Sequence, residues 1–320
     1  MSQFSSLLKR SGNKNDGISW SLDIRKNWQL YLILSLPIIY VFVFNYVPMY
    51  GAQIAFKDFK ASKGIIESDW VGLKHFIKFF NTPKFGVILG NTVGISLYGL
   101  LAGFPIPILL ALGLHVCSQR IFKKVVQMVT YAPYFISVVV MVGMLMQFLD
   151  PELGFINVII KALTGDTVKF LSRAELFQGV YVWSGIWQGA GWGSIIYLAA
   201  LSGIDPELHE AATIEGATRL RRVIHIDIPG IMPTMIILLI LSSGNIMNVG
   251  FEKIYLMQNS LNITSSEVIS TYVYKVGIMS SGLPQYSYAT AIGLFNSVIN
   301  FMLIIIVNQI SKKATDRSLW

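Results

Sequence analysis

The residues best placed to do chemistry lie between positions 205 and 230: Asp205, Pro206, Glu207, Glu210, Ala211, Ala212, Gly216, then Arg219, Arg221 and Arg222 before Pro229. Asp205 followed by Pro206 is a helix start, because the carboxylate caps free N–H groups and proline is preset at the first helical position. Glu207 and Glu210 favour the positive end of that helix, and Gly216 ends or bends it. A second helical stretch with the three arginines runs to Pro229. The chemistry on offer is recognition. Leu208, Ala211, Ala212 and Ile214 are too few to build a core. Two readings are open: a helix that docks into a cleft on another protein, and a helix resting on lipid headgroups.

A second group could bind an uncharged or sugar-like solute. Such sites combine aromatic faces with amides. Asn245 and Asn248 stand beside Gly244 and Gly250, which suggests a locally loosened helix facing a cavity. Trp187 and Trp192 are candidates for stacking, and Trp183 reads as an interfacial anchor. Asn91, Tyr98 and Gln147 are weaker candidates. The competing reading of the asparagines is hydrogen bonding between helices.

The elements that must position these residues are membrane spans. Of 320 residues, 53% are hydrophobic and 13% charged, and that is too little charge to coat a soluble globule. Six apolar runs are long enough to cross: about 28–50, 87–115, 125–149, 178–201, 233–251 and 288–309. The expected architecture is therefore all-α, a polytopic membrane protein with six transmembrane helices. Residues 1–27 form an amino-terminal segment, 28–310 the six-span domain with its loop at 205–230, and 311–320 a tail. Pro37 lies in span one, and Gly103, Pro105 and Pro107 lie in span two, where each proline gives a kink or a broken helix lining a pathway. Gly185, Gly189 and Gly193 share one face of span four, which allows close approach of another backbone. Residues 70–80 carry apolar side chains at helical spacing and read as an interfacial helix. Arg120, Lys123 and Lys124, with no acid in the short connection between spans two and three, place that loop and both termini in the cytoplasm.

Several function classes are excluded or weakened. The net charge of +8 comes from 25 basic and 17 acidic residues. The basic residues flank apolar runs, so they read as topology signals at a lipid surface and not as a nucleic-acid footprint. One cysteine excludes an internal disulfide. The four histidines show no ligand spacing, so no metal site is expected. No proposed span contains Asp, Glu, Lys or Arg, which weighs against an ion-coupled secondary carrier. No nucleophile elbow, zinc-protease signature or phosphate-binding loop is present, so no catalytic residue is assigned. Uphill transport would need energy from a partner.

The spacing Glu210-Ala211-Ala212, three residues, Gly216, nine residues, Ile226-Asp227-Ile228-Pro229 resembles the EAA loop of ABC importer permeases, with Ile228 where that pattern has leucine. Val71-Gly72-Leu73 with Phe76 and Phe79, then Asn91-Thr92, and the segment from Asn248 to Met257 resemble the sugar-importer branch, nearest to the LplB-like polysaccharide permeases. The resemblance covers about 28–310. It implies a type I ABC importer permease core in the bacterial plasma membrane. It also implies that Glu210, Ala211, Ala212 and Gly216 couple the chain to a cytoplasmic ATPase. The implied partners are a second homologous permease chain, two ATPase subunits that hydrolyse ATP with Mg, and an extracytoplasmic solute-binding protein. The chain itself would hold no cofactor, and the cargo would be an oligosaccharide. The readings kept beside it are an ion-coupled sugar carrier and a non-transporting membrane scaffold.

Overall fold

The computed structural model describes residues 24–315 apart from Ser281. Most of the amino-terminal segment, with Lys9, Arg10 and Lys14, and the end of the tail, with Arg317, lie outside the described residues. The chain divides into two units at Gln53/Ile54.

The first unit carries α1 (Trp28–Val41), which has Pro37 inside it and continues into a π-turn at Phe42–Tyr46. A proline removes one backbone donor, and a wider turn a few residues later is a common way for a helix to adjust.

The second unit begins with a small antiparallel hairpin, β1 (Lys57–Lys60) and β2 (Gly64–Trp70), paired from Lys57↔Trp70 to Lys60↔Gly64. Composition gave no hint of it, and it qualifies the all-α expectation. The helix expected at 70–80 is α2 (Lys74–Phe80). α3 (Phe85–Gly103) and α4 (Pro105–Val116) together make a span of 32 residues. α5 (Arg120–Tyr131) and α6 (Val138–Phe148) are bent by 105° across a break at Ile136 and Ser137, so the third span, expected over 125–149, is a broken one. The cause is local. Pro133 favours a 3-10 turn at Ala132–Phe135, and the Ser137 hydroxyl accepts from the Val140 N–H to start a new helix.

α7 (Phe155–Thr164) is followed by α8 (Ala174–Ser202), whose 29 residues reach about 44 Å at 1.5 Å each, enough to cross. Next come α9 (Pro206–Ile214), α10 (Arg219–Arg222), a π-turn at Val223–Asp227 and α11 (Ile228–Ser243). The fifth crossing therefore starts at Arg219, runs through Pro229 and Pro233, and stops at Ser243, where 233–251 was expected. Short α12 (Phe251–Met257), α13 (Ile263–Ser266) and α14 (Ile269–Gly277) lead into α15 (Tyr286–Thr315). Among the described residues the helices are consistent with six crossings, counting the bent pair as one and including α8.

α8 is the axis of the second unit and packs against α3, α4, α5 and α11. Lipid tails are as apolar as leucine, so close fit rather than water exclusion must hold these helices together. At Gly191 a Cβ would collide with the Thr130 backbone of α5. That is the tight approach expected from the glycines of this span, but at a different glycine: Gly189 has open space where a Cβ would be. Ile108, Ala111, Tyr197, Leu201 and Ile231 pack one end of the bundle, and Phe79, Ile88, Ile269 and Ile292 the other.

Candidate functional site

α9 forms as its sequence demands. The Asp205 carboxylate accepts from the Glu207 N–H at 3.0 Å, and Pro206 occupies the first helical position. At the far end Gly216 has φ +76°, and the Ala217 N–H donates to the Ala212 carbonyl at 2.8 Å, a closing bond that needs the left-handed residue between. Arg222 donates to the Thr213 hydroxyl at 2.9 Å and ties α9 to α10. Glu210 and Ala211 are exposed, Ala212 is half-buried and Gly216 is exposed. Leu208 and Ile214 are 53% and 88% exposed, so the apolar face of α9 is not spent on its own chain. Leu220 and Ile224 extend that exposed surface.

α4 ends beside α9, so the connections after spans two and four meet at one end of the bundle. Here His115, His209 and Asp227 converge and line a cavity with Arg219 and Arg222. Sequence spacing could not reveal this cluster, because its members are far apart in the chain.

Midway along the bundle lies a cavity of about 450 Å³, lined in part by Gly99, Phe104, Tyr181, Gly193, Asn245 and Asn248. Both expected asparagines therefore face a cavity, and the helix does end beside them. Their amides are linked: Asn248 donates to the Asn245 oxygen at 3.4 Å and accepts from Asn296 at 2.9 Å. Trp187 and Trp192 are placed elsewhere. Trp187 is half-exposed, and Trp192 stacks on Tyr134 with centroids 4.6 Å apart and planes 3° apart. Trp183 donates to the Tyr98 hydroxyl at 2.7 Å. Asn91 donates to the carbonyls of Thr264 and Glu267, at 2.9 and 3.0 Å.

A neighbouring cavity of about 370 Å³ shares Gly99, Gly103, Pro107 and Tyr181 with the first and adds Gln188 and Lys253. Gly103 and Pro107 of span two thus line open space. Lys253 is 8% exposed; its ammonium lies over the Tyr181 ring at 4.6 Å and donates to the Tyr181 carbonyl at 2.8 Å. Gly185 makes room for it, since a Cβ there would stand 3.2 Å from Nζ. Among the described residues no carboxylate pairs with Lys253, and no other charged side chain lines either cavity. Sequence reasoning missed this residue. The signal was a single lysine two positions past the expected end of span five.

Residues 103–316 match the family of binding-protein-dependent transport system inner membrane components. The chain belongs to that family. It is a membrane-spanning permease subunit of an ABC importer and is not itself catalytic. Among similar proteins, the protein LplB of Bacillus subtilis is 42% identical over 304 residues, 95% of each chain. The polygalacturonan/rhamnogalacturonan transport system permease YteP of the same organism is 41% identical, over 91% of this chain and 90% of that one. A chain in the crystal structure of a bacterial ABC transporter involved in the import of the acidic polysaccharide alginate superposes with a TM-score of 0.83 at 38% identity. That match covers 92% of this permease and 98% of that chain. A second structure of the alginate transporter, in complex with a periplasmic protein bound to an alginate pentasaccharide, gives 0.84 at 37% identity.

Proposed function

We propose that this permease imports an acidic oligosaccharide, that Lys253 meets the carboxylates of the passing chain, and that α9 is the handle through which cytoplasmic ATPase subunits drive the cycle. The observation that carries the substrate reading is the buried ammonium of Lys253 in a cavity without a carboxylate partner. A buried cation without a counter-charge is costly, and a uronate passing beside it supplies the missing charge. Gln188 and the paired amides of Asn245 and Asn248 add neutral hydrogen-bonding groups suited to hydroxyls. The acidic polysaccharide cargo of the alginate transporter supports the same class.

The coupling reading rests on α9. It is capped at both ends, it exposes Glu210 and Ala211, and it leaves Leu208 and Ile214 uncovered. A short rigid helix of that kind can transmit a push. Two ATPase subunits that bind ATP and Mg would close on it. A second permease chain would complete the path, an extracytoplasmic binding protein would deliver the sugar, and both termini would face the cytoplasm.

Uptake assays in membrane vesicles with Lys253→Gln and Lys253→Arg test the substrate reading. Loss of the charge is expected to lower uptake of uronate oligomers by at least about 10-fold, as for an interaction worth about 1.4 kcal/mol. Lys253→Arg should retain most of it. Unchanged uronate uptake in Lys253→Gln would overturn the assignment.

A further inference from the structure

The cluster at the root of α9 has the composition and the shape of a metal site. His115 lies in the last turn of α4, His209 stands one residue before Glu210 on α9, and Asp227 closes the π-turn that leads into α11. The His209 Nε2 is 3.2 Å from the Asp227 Oδ1, and the His115 Nε2 is 3.8 Å from the same oxygen. All three ligand atoms lie within 4.8 Å of one another. A tetrahedral ion with bonds of about 2.0–2.2 Å holds its ligands about 3.3–3.5 Å apart, so small side-chain rotations close this set on one ion.

A second observation points the same way. Asp227 is 1% exposed, yet its Oδ1 has no hydrogen-bond partner, and neither has the buried Nε2 of His209. The two atoms stand 3.2 Å apart without the alignment of a hydrogen bond. Leaving such groups unsatisfied costs about 1–3 kcal/mol each, more for a charged one. A cation satisfies both at once. The cavity of about 240 Å³ in front of them has room for the ion and for a water as fourth ligand.

We propose that His115, His209 and Asp227 bind a divalent transition-metal ion of the zinc type. Arg219 and Arg222 line the same cavity and oppose any cation held by charge alone. That selects an ion that bonds well to imidazole nitrogen and discriminates against magnesium and calcium, which prefer several oxygen ligands. The three ligands come from three elements. The ion therefore clasps the end of span two, the α9 helix and the foot of span five, and fixes the angle at which α9 leaves the bundle. The clasp deepens the handle reading, but the site itself stands on geometry alone.

The test uses the assembled transporter purified through a tag without histidine, stripped with chelator and titrated with zinc against a chromogenic competitor. The wild type is expected to bind one more equivalent of zinc than Asp227→Asn or the His115→Ala/His209→Ala double variant. His225→Ala and Cys117→Ser should keep that equivalent, which separates the site from other imidazole and thiol ligands. Zinc should raise the unfolding temperature of the wild type and leave that of Asp227→Asn unmoved, while magnesium does neither. Equal zinc binding by wild type and ligand variants, no tight zinc in the wild type, or equal displacement by magnesium would overturn the proposal. Impaired transport with an intact zinc equivalent in Glu210→Lys would leave the metal site standing and bear only on the handle.

Discussion

The two ends of the helical bundle are built on opposite rules. At the end that gathers residues 57–91, 149–174 and 259–288, most buried polar groups are satisfied, the Nδ1 of His75 being an exception. Asn262 is fully buried, donates to the carbonyls of Leu171 and Met257 at 2.9 and 3.0 Å, and accepts from the Asn259 N–H and the Ser266 hydroxyl, each at 3.0 Å. Asn157 bridges Leu149, Asp150 and Val168 in the same manner. Glu267 holds Lys84 and Lys275 at 3.2 and 3.1 Å, and Phe59 is fastened to Ser287. At the α9 end, apolar and acidic side chains stand exposed, and the buried Asp227 Oδ1 and Arg222 Nε have no hydrogen-bond partner. A closed polar network makes a rigid cap, because every removed partner strands a buried group. An exposed, capped helix with uncovered apolar residues makes a surface waiting for another chain.

That contrast can be broken at its stiff end first. Asn262→Ala strands the Met257 carbonyl, the Asn259 N–H and the Ser266 hydroxyl, and is expected to destabilise the permease by about 3 kcal/mol or more. Thermal unfolding of the purified transporter measures it, and an unchanged midpoint would mean that the cap is not held by this network. At the soft end the effect should fall on assembly and not on folding. Glu210→Lys is expected to leave the unfolding midpoint of the permease in place while lowering transport and co-purification of the ATPase at least about 10-fold. Normal uptake and normal complex yield would remove Glu210 from the interface. The smallest effect concerns the shape of α9 itself. Gly216 sits at φ +76° in open space, so Gly216→Ala pays only the left-handed penalty of about 1 kcal/mol. Circular dichroism and unfolding should register little, whereas ATPase coupling should fall measurably because the end of the helix is re-aimed.

Much of this architecture could be read from residue order. The cap at Asp205 and Pro206, the left-handed Gly216 and the exposed helix between them follow from local rules, and local rules are visible in sequence. The six crossings were legible for the same reason: apolar length needs no tertiary context. What escaped was everything decided at a distance. The bend at Ile136 and Ser137 breaks the third span because Pro133 and Ser137 act together within an apolar run. The fifth helix begins at Arg219 because a π-turn absorbs what Pro229 would otherwise interrupt. Lys253 lies two positions past the expected end of span five, and only the fold places it over Tyr181 and beside Gly185. His115, His209 and Asp227 are far apart in the chain and meet only when three elements converge. Trp187 and Trp192 were plausible sugar platforms by type alone, but neither lines the cavities that Asn245, Asn248 and Lys253 reach.

The central claim is that α9 is gripped by the ATPase. A photo-crosslinking amino acid placed at Ala211 tests it most directly, with the same probe at Leu153, an exposed residue of the opposite end, as comparison. In intact cells, illumination should join position 211 to the ATPase subunit and position 153 to no ATPase. Adducts from 211 to an extracytoplasmic binding protein, or to lipid alone with the ATPase present, would contradict the account.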